Sequence, residues 1–180
     1  MSSEVFISLL RGINVSGQKQ IKMTDLKALY ESLGFIDVKT YIQSGNVIFQ
    51  SAEIENPELL VRKIENAIQE KFGFDVPVII RTKTELQRII ESNPILAFKE
   101  NDEDRLYVTF LEKLPDKTAI EKLSEFDFSP DKFVLIEKEI FIFCPNGYGK
   151  TKINNTFFES KLKLKATTRN WKTVNTLAKM

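Results

Sequence analysis

Polar side chains of the kind that hold anions gather in two stretches of this sequence. The first set, drawn from 11–19 and 41–46, comprises Arg11, Asn14, Lys19, Tyr41, Gln43, Ser44 and Asn46. The second set, drawn from 148–171, comprises Tyr148, Lys150, Arg169 and Trp171. Cationic and amide side chains bind phosphates and carboxylates, and glycine-containing loops let backbone N–H groups point at an anion. Because the two sets contain no carboxylate, they favour anion binding over acid–base or metal chemistry.

The composition excludes several classes of active site. The 180 residues include no histidine and one cysteine, Cys144. Ser-His-Asp and Cys-His pairs, imidazole ligands and an internal disulfide are therefore excluded. We expect no metal site and no cofactor. General acid–base catalysis in these stretches would fall to Tyr41, Tyr148 or a lysine with a strongly shifted pKa.

The formal charge of +1 hides a gradient along the chain. Residues 1–52 carry a net +1, residues 53–139 a net −7 and residues 140–180 a net +7. A basic tail attracts anions, although solvated lysines on the last helices would give the same pattern. No run of about 18 apolar residues is present, and the N-terminus lacks a secretory cleavage pattern. These features predict a cytoplasmic protein with no membrane partner.

The elements that must position these side chains follow from apolar periodicity. In the first half the pattern predicts strands at 4–11, 35–42, 46–50 and 76–81 and helices at 24–33, from 57 to Gly73, and at 84–91. In the second half it predicts strands at 105–112, 132–137, 139–144 and 165–169 and helices at 116–126, 155–163 and 171–179. The helix at 116–126 is expected to turn Ile120, Leu123 and Phe126 inward.

The order of these elements predicts an α+β fold built by tandem duplication. Each half reads β-α-β-β-α-β, the ferredoxin-like signature, followed by an extra C-terminal helix. The predicted boundaries are 1–91 for the first unit with its helix, 92–104 for an acidic linker, and 105–180 for the second unit with its helix.

This topology gathers each polar set at one edge of its sheet. In the first unit, the loop after strand one, the hairpin between strands two and three, and the loop before strand four share an edge. In the second unit, the loop 145–154 and the end of the last strand share the opposite edge. If the two edges face each other, one cationic cleft carries both sets. Each of the two sets also has a structural explanation, such as turn chemistry for Ser44 and Asn46 or packing for Trp171.

Two familiar nucleotide-binding patterns are not met. GYGKT at 147–151 ends like a P-loop, but the first glycine of that motif is replaced by Cys144. Phe6 and Tyr107 occupy the aromatic position of an RNA-binding strand, but the strand IFIFC is apolar on both faces. A strand of that kind is covered on both faces, which disfavours an open RNA platform.

Three ordered motifs carry a resemblance to a known family. LLRGINVSGQKQIKM (9–23), YIQSGNVIF (41–49) and TTRNWKTVNTL (167–177) resemble the bacterial family labelled domain of unknown function 1697. The resemblance implies a duplicated α+β architecture and no particular activity. NGYGKTK fits the family only loosely, which weakens the case for Lys150. The residues that match the family motifs are Arg11, Gly12, Asn14, Gly17, Lys22, Tyr41, Gln43, Ser44, Gly45, Asn46, Arg169, Asn170 and Trp171.

The sequence therefore favours a binding module for an anionic ligand, such as a nucleotide, a phosphorylated metabolite or a nucleic-acid segment. One alternative is a transferase or hydrolase that acts on a phosphorylated substrate held in the same cationic cleft. A further alternative is a protein–protein adaptor whose motifs are structural. The sequence does not specify the oligomeric state.

Overall fold

The computed structural model describes residues 4–51, 56–97 and 102–180. The strands are β1 Glu4–Leu10, β2 Ile36–Tyr41, β3 Asn46–Ser51, β4 Val78–Thr82, β5 Leu106–Leu111, β6 Lys132–Ile136, β7 Glu139–Phe143 and β8 Ala166–Asn170. The helices are α1 Met23–Ser32, α2 Pro57–Phe72, α3 Lys83–Glu91, α4 Lys117–Leu123, α5 Asn155–Leu162 and α6 Trp171–Lys179. Short 3₁₀ turns lie at Pro94–Ala97, Glu103–Arg105 and Tyr148–Lys150. The predicted α+β class is confirmed.

The strands form two antiparallel four-stranded sheets with matching orders, β2-β3-β1-β4 and β6-β7-β5-β8. The chain divides into two compact units, the first ending at Leu86 and the second running from Gln87 to Lys179. In both sheets the first strand of the unit lies in the interior and pairs on either side, β1 with β3 and β4, and β5 with β7 and β8.

The first unit packs helices α1 and α2 on one face of its sheet. Phe6 and Leu10 of β1 belong to the same buried cluster as Leu26 of α1 and Ile64 of α2. Successive residues of a strand point to opposite faces, and Ile7, next to Phe6, is buried as well, so both faces of β1 are buried.

Helix α2 begins and ends where the sequence predicts. The side chain of Asn56 accepts a hydrogen bond from the backbone N–H of Glu58, and Pro57 occupies the first turn. The helix ends at Gly73, which adopts the left-handed conformation.

The second unit has its own core beneath β5, β7 and β8. Ile140 and Ile142 of β7 pack with Phe158 and Leu162 of α5 and with Leu123 of α4. All five residues of β7 are buried, which agrees with the prediction that this strand is covered on both faces.

Helix α4 is shorter than the predicted 116–126, and the prediction that Ile120 and Phe126 turn inward was wrong. Their exposed fractions are 37% and 39%. The helix ends at Leu123, and the backbone then turns around Asp127, whose carboxylate accepts from the backbone N–H and the hydroxyl of Ser129. Phe126 stacks instead on Phe128, outside the helix.

The segment 92–104 contains ordered, partly buried structure in its described part. Asn93 is buried and its side chain accepts a hydrogen bond from the backbone N–H of Ile95, which is also buried. Residues 98–101 of this predicted linker lie outside the described residues. Among the described residues, no helix combines the length and the apolar character that crossing a bilayer requires.

Candidate functional site

The three loops of the first unit meet at one edge of its sheet. The Asn14 side-chain amide donates to the carbonyl of Gln43 at 2.9 Å, which ties the loop after β1 to the β2–β3 hairpin. The Lys19 ammonium donates to the carbonyl of Asp75, and the Arg11 backbone N–H donates to that of Pro77 at 2.9 Å. These bonds tie the same loop to the segment before β4.

Asn14 holds the shape of this loop. Its carbonyl oxygen accepts from the backbone N–H of Ile21 at 2.8 Å, and its amide nitrogen donates to the carbonyl of Ile21 at 2.9 Å. With the bond to Gln43, the side chain uses both of its N–H groups and its oxygen inside the protein. Asn14 therefore positions its neighbours and has no free donor for a ligand.

The hairpin residues are also engaged within the fold. Asn46 is buried and donates to the carbonyl of Tyr41 at 2.9 Å and to the Ser44 hydroxyl at 3.1 Å. Gly45 between them has φ +84°, and a Cβ there would lie 2.7 Å from Cδ1 of Ile13. Tyr41, Ser44 and Asn46 thus build the turn that brings the hairpin against the loop after β1.

A groove of about 720 Å³ opens beside this loop, at the N-terminal end of α1. It is lined by residues of the loop, the first turn of α1, the hairpin and the end of α2: Asn14, Gly17, Gln20, Ile21, Lys22, Met23, Thr24, Asp25, Gln43 and Phe72. Four of these, Asn14, Gly17, Lys22 and Gln43, are among the residues that match the family motifs. Arg11 and Lys19 do not line the groove.

The free donors of the groove are long, exposed side chains. Over the described residues, Gln20, Lys22 and Gln43 make no side-chain hydrogen bond or ion pair within the protein. Lys22 sits at the N-cap of α1 but provides no side-chain cap, and the positive end of the helix dipole lies beside it. Asp25 contributes one carboxylate, and Phe72 provides an apolar wall. The arrangement can hold a small ligand by an anionic group at one end.

In the second unit, hydrogen bonds converge on the hydroxyl of Thr168. Tyr148 donates to it at 3.0 Å, and it donates to the side-chain oxygen of Asn155 at 2.6 Å. The Thr109 hydroxyl lies 2.6 Å away, so it is the second donor to Thr168. The Tyr148 ring also contacts that of Tyr107, with ring centroids 4.9 Å apart. Tyr148 thus joins the loop 145–154 to β8, as the topology predicts.

Arg169 and Trp171 are buried, whereas Lys150 is exposed. The Arg169 guanidinium donates to the Thr167 hydroxyl at 2.8 Å and to the carbonyl of Thr168 at 2.9 Å. Burial lowers the pKa of Arg169 to about 10, which leaves the side chain charged at neutral pH. Asn170 caps α6 by accepting from the backbone N–H of Thr173.

Arg81 of β4 occupies the position in its sheet that Arg169 of β8 occupies in the other. Arg81 pairs with Ile7 of β1, and Arg169 pairs with Val108 of β5. Both arginines are buried, and each donates to the carbonyl of the residue before it at 2.9 Å. The sequence alone does not indicate that these guanidinium groups are buried.

Sequence reasoning missed several residues that the structure places at these sites. Thr109 and Asn155 lie outside the sequence motifs, Thr168 was not singled out within its motif, and the separation of the three along the chain hides their contact. Gln20 and Thr24 enter the groove only because the loop folds back on Asn14. Met23 and Phe72 are apolar residues at helical spacing. This spacing predicts core positions and does not indicate that a groove lies beside them.

Metal ligation and thiol chemistry find no support among the residues that the structure describes. Within the described ranges, no three Asp, Glu or Cys side chains come together as metal ligands would. Burial raises the pKa of the Cys144 thiol to about 11, so the thiol stays protonated at neutral pH and is not an activated nucleophile.

Comparison with known families decides where the chain belongs. The model of the family described as a protein of unknown function, DUF1697, matches residues 4–141. The chain belongs to the DUF1697 family. The match includes the first two sequence motifs of this DUF1697 protein and ends before the third, at 167–177.

A solved structure has the same fold as this DUF1697 protein. The conserved bacterial protein SP0830 from Streptococcus pneumoniae superposes with a TM-score of 0.78 at 24% identity, over 99% of this chain and 98% of that one. A search of curated proteins found no significant match. The comparisons therefore establish the family and the fold.

Proposed function

We propose that this DUF1697 protein is a binding module for a small anionic ligand, of the nucleotide or phosphorylated-metabolite class, held in the groove beside α1. The single observation that carries the proposal is the composition of the groove's free donors. Lys22, Gln20 and Gln43 surround the uncapped N-terminus of α1 and are not used elsewhere in the described structure. An anion at this position gains hydrogen bonds and the favourable helix dipole.

The rest of the groove suits a ligand with an apolar part. Phe72, Met23 and Ile21 line the same space of about 720 Å³, which lies in the ordinary range for small-molecule sites. Asp25 opposes a highly charged anion but accepts hydrogen bonds from a hydroxyl or amine of the ligand. These features favour a phosphorylated organic molecule over free phosphate.

The architecture behind the site is proposed to be a tandem duplication of a ferredoxin-like βαββαβ unit, each followed by one helix. Support comes from the matching strand orders and from the equivalent arginines, Arg81 and Arg169. The domain boundaries predicted from the sequence and the cytoplasmic location stay predictions.

A thermal-shift series tests the proposed function. The probes are inorganic phosphate, pyrophosphate and a panel of nucleoside and sugar phosphates. Ligand at about 100 times its Kd stabilises the folded state by about 2.7 kcal/mol, so a true ligand raises the Tm by several degrees. Lys22→Gln should weaken binding about tenfold, because a charged donor is lost.

Two control variants sharpen this series. Lys39→Gln removes an exposed cation from β2, outside the groove, and should leave the shift unchanged. Arg11→Ala removes the motif arginine that lies outside the groove, and it should also leave the shift unchanged. A ligand whose affinity falls in Arg11→Ala or Lys39→Gln but not in Lys22→Gln would contradict the proposed site.

A further inference from the structure

Two adjoining depressions on the second unit form a surface that the proposed function does not use. The first has a volume of about 420 Å³ and lies between α4, the segment 124–131 and β6. The second has a volume of about 350 Å³ and lies between the segment 127–131 and residues 146–152. Both are lined by the same four residues, Asp127, Phe128, Ser129 and Asp131, so the two are continuous.

The first depression is an aromatic end. Phe126, Phe128 and Phe133 line it together with aliphatic side chains of α4 and β6, and the exposed Lys132 at the start of β6 lies at its border. Phe126 remains 39% exposed although it stacks on Phe128, with ring planes 10° apart. The depression exists because α4 stops at Leu123 and leaves this part of the sheet uncovered. An aromatic ring of a ligand could stack against these near-parallel phenylalanine rings.

The wall that the two depressions share carries two carboxylates, those of Asp127 and Asp131. One oxygen of Asp127 accepts from the backbone N–H and the hydroxyl of Ser129, at 2.9 and 2.7 Å. These bonds lower the pKa of Asp127 and keep it ionised. One oxygen of Asp131 accepts from the Thr151 hydroxyl. In the described part of the chain, the other oxygen of each carboxylate has no donor.

The second depression ends in basic and amide groups. Lys150 and Lys152 line it with Asn146, and all three are exposed. None of these side chains makes a hydrogen bond or ion pair among the residues the structure describes. From one end to the other, the surface therefore runs from aromatic rings bordered by Lys132, past two carboxylates, to the two ammonium groups of Lys150 and Lys152.

We propose that this surface binds a free aromatic amino acid as its zwitterion. The ring would occupy the depression of Phe126, Phe128 and Phe133, the ammonium would face Asp127 and Asp131, and the carboxylate would face Lys150 and Lys152. The proposal is independent of the groove beside α1, because the two surfaces share no residue.

The order of charges selects this ligand over simpler ones. A ligand with only a negative charge is repelled by the two carboxylates that share the depression with the lysines, and one with only a positive charge leaves the lysines without a partner. An internal segment of a peptide would place neutral backbone amides opposite both the carboxylates and the lysines, so neither set of charges would be paired. An aromatic amino acid carries ring, ammonium and carboxylate in the matching order.

Three small probes that differ by one group test the proposal on the unmodified protein. They are L-phenylalanine, phenethylamine, which lacks the carboxylate, and 3-phenylpropionate, which lacks the ammonium. Dissociation constants come from ¹H–¹⁵N chemical-shift titrations of the labelled protein. L-Phenylalanine should bind at least about tenfold more tightly than either analogue, a difference of 1.4 kcal/mol. No binding of L-phenylalanine, or equal binding of either analogue, would overturn the proposal.

Variants then test which part of the surface binds each chemical group of the probes. Lys150→Gln should weaken L-phenylalanine several-fold and leave phenethylamine unchanged, whereas Asp127→Asn should weaken both. Phe126→Ala, at a half-exposed position, should weaken all three probes. Lys117→Gln on α4 lies outside both depressions and is the matched control. A Lys150→Gln variant that loses both probes equally, or neither, would contradict the assignment of the carboxylate to the lysines.

Discussion

At the scale of single residues, hydrogen-bond capacity separates structural side chains from binding side chains. Asn14 uses all of its side-chain donors and its acceptor inside the first unit. Thr168 is also saturated, since its hydroxyl accepts from Tyr148 and Thr109 and donates to Asn155. Lys22 and Gln43 keep their side-chain donors for a ligand. Residue type alone does not make this distinction, because the sequence does not show which polar side chains are hydrogen-bonded inside the folded protein.

Removing the Thr168 hydroxyl should destabilise the second unit. Thr168→Val keeps the shape of the side chain but leaves Tyr148, Thr109 and Asn155 without their common partner. We expect a loss of about 1–3 kcal/mol in the free energy of unfolding, measured by urea titration. The double variant with Tyr148→Phe should cost less than the sum of the two single changes, because the bond between these hydroxyls is lost only once.

The control for this cycle is Thr156→Val at an exposed position of α5, which should change stability by less than about 0.5 kcal/mol. Strict additivity of Thr168→Val and Tyr148→Phe would show that the two hydroxyls are not coupled.

At the scale of elements, the groove depends on how closely the β2–β3 hairpin approaches the loop after β1. Gly45 makes this approach possible, since its backbone carbonyl accepts from the N–H of Leu10 at 2.8 Å while Ile13 packs against its Cα. The hairpin then delivers Gln43 to the groove. The loop after β1, which Asn14 holds in shape, places Gln20 and Lys22 on the other side of the groove.

Gly45→Ala should therefore be much more costly than Gly12→Ala. Both glycines have positive φ, +84° and +71°, so both variants bear the same kind of backbone penalty of about 1 kcal/mol. At Gly45 the added Cβ would also lie 2.7 Å from Ile13 and 2.8 Å from Leu10, whereas at Gly12 nothing lies within 4 Å. We expect Gly45→Ala to lose about 1–3 kcal/mol more in chemical unfolding.

Equal losses for the two alanine variants would mean that the hairpin does not depend on this close contact.

The elements themselves were largely predictable from the sequence, whereas the open surfaces were not. Asn56, Pro57 and Gly73 mark the ends of α2 because caps are local signals. Helix α4 was predicted too long, because apolar spacing continues through Phe126 while the turn at Asp127 depends on bonds from Ser129. The grooves arise where distant segments meet, such as Phe72 with Gln43. Apolar patterning marks such residues only as core.

At the scale of the whole molecule, charge is distributed very unevenly. Residues 53–139 carry a net −7 and residues 140–180 a net +7 within a chain of net +1. A polyanion would contact many of the cations in the last segment, whereas the proposed ligand contacts one lysine in the first unit. The two modes of binding differ in the number of counterions that are released.

The response to salt should separate these modes. A ligand that pairs with Lys22 alone should lose only about threefold to fourfold in affinity between 50 and 200 mM salt. A single-stranded oligonucleotide contacting six or more phosphates would lose about 300-fold or more over the same range. Isothermal titration at the two salt concentrations measures both. Tight oligonucleotide binding with the steep dependence, together with no small-molecule binding, would favour the nucleic-acid alternative.

The central claim, an anion held at the N-terminus of α1, is tested most directly by locating a bound anion on the backbone. A ¹H–¹⁵N titration of the full chain with adenosine monophosphate, a member of the proposed ligand class, reports on each amide. The account predicts saturable shifts concentrated at the amides of Gly17, Met23 and Thr24 and at the Gln43 side chain, all weakened in Lys22→Gln. Shifts confined to residues 140–180, or shifts at α1 that Lys22→Gln leaves unchanged, would contradict it.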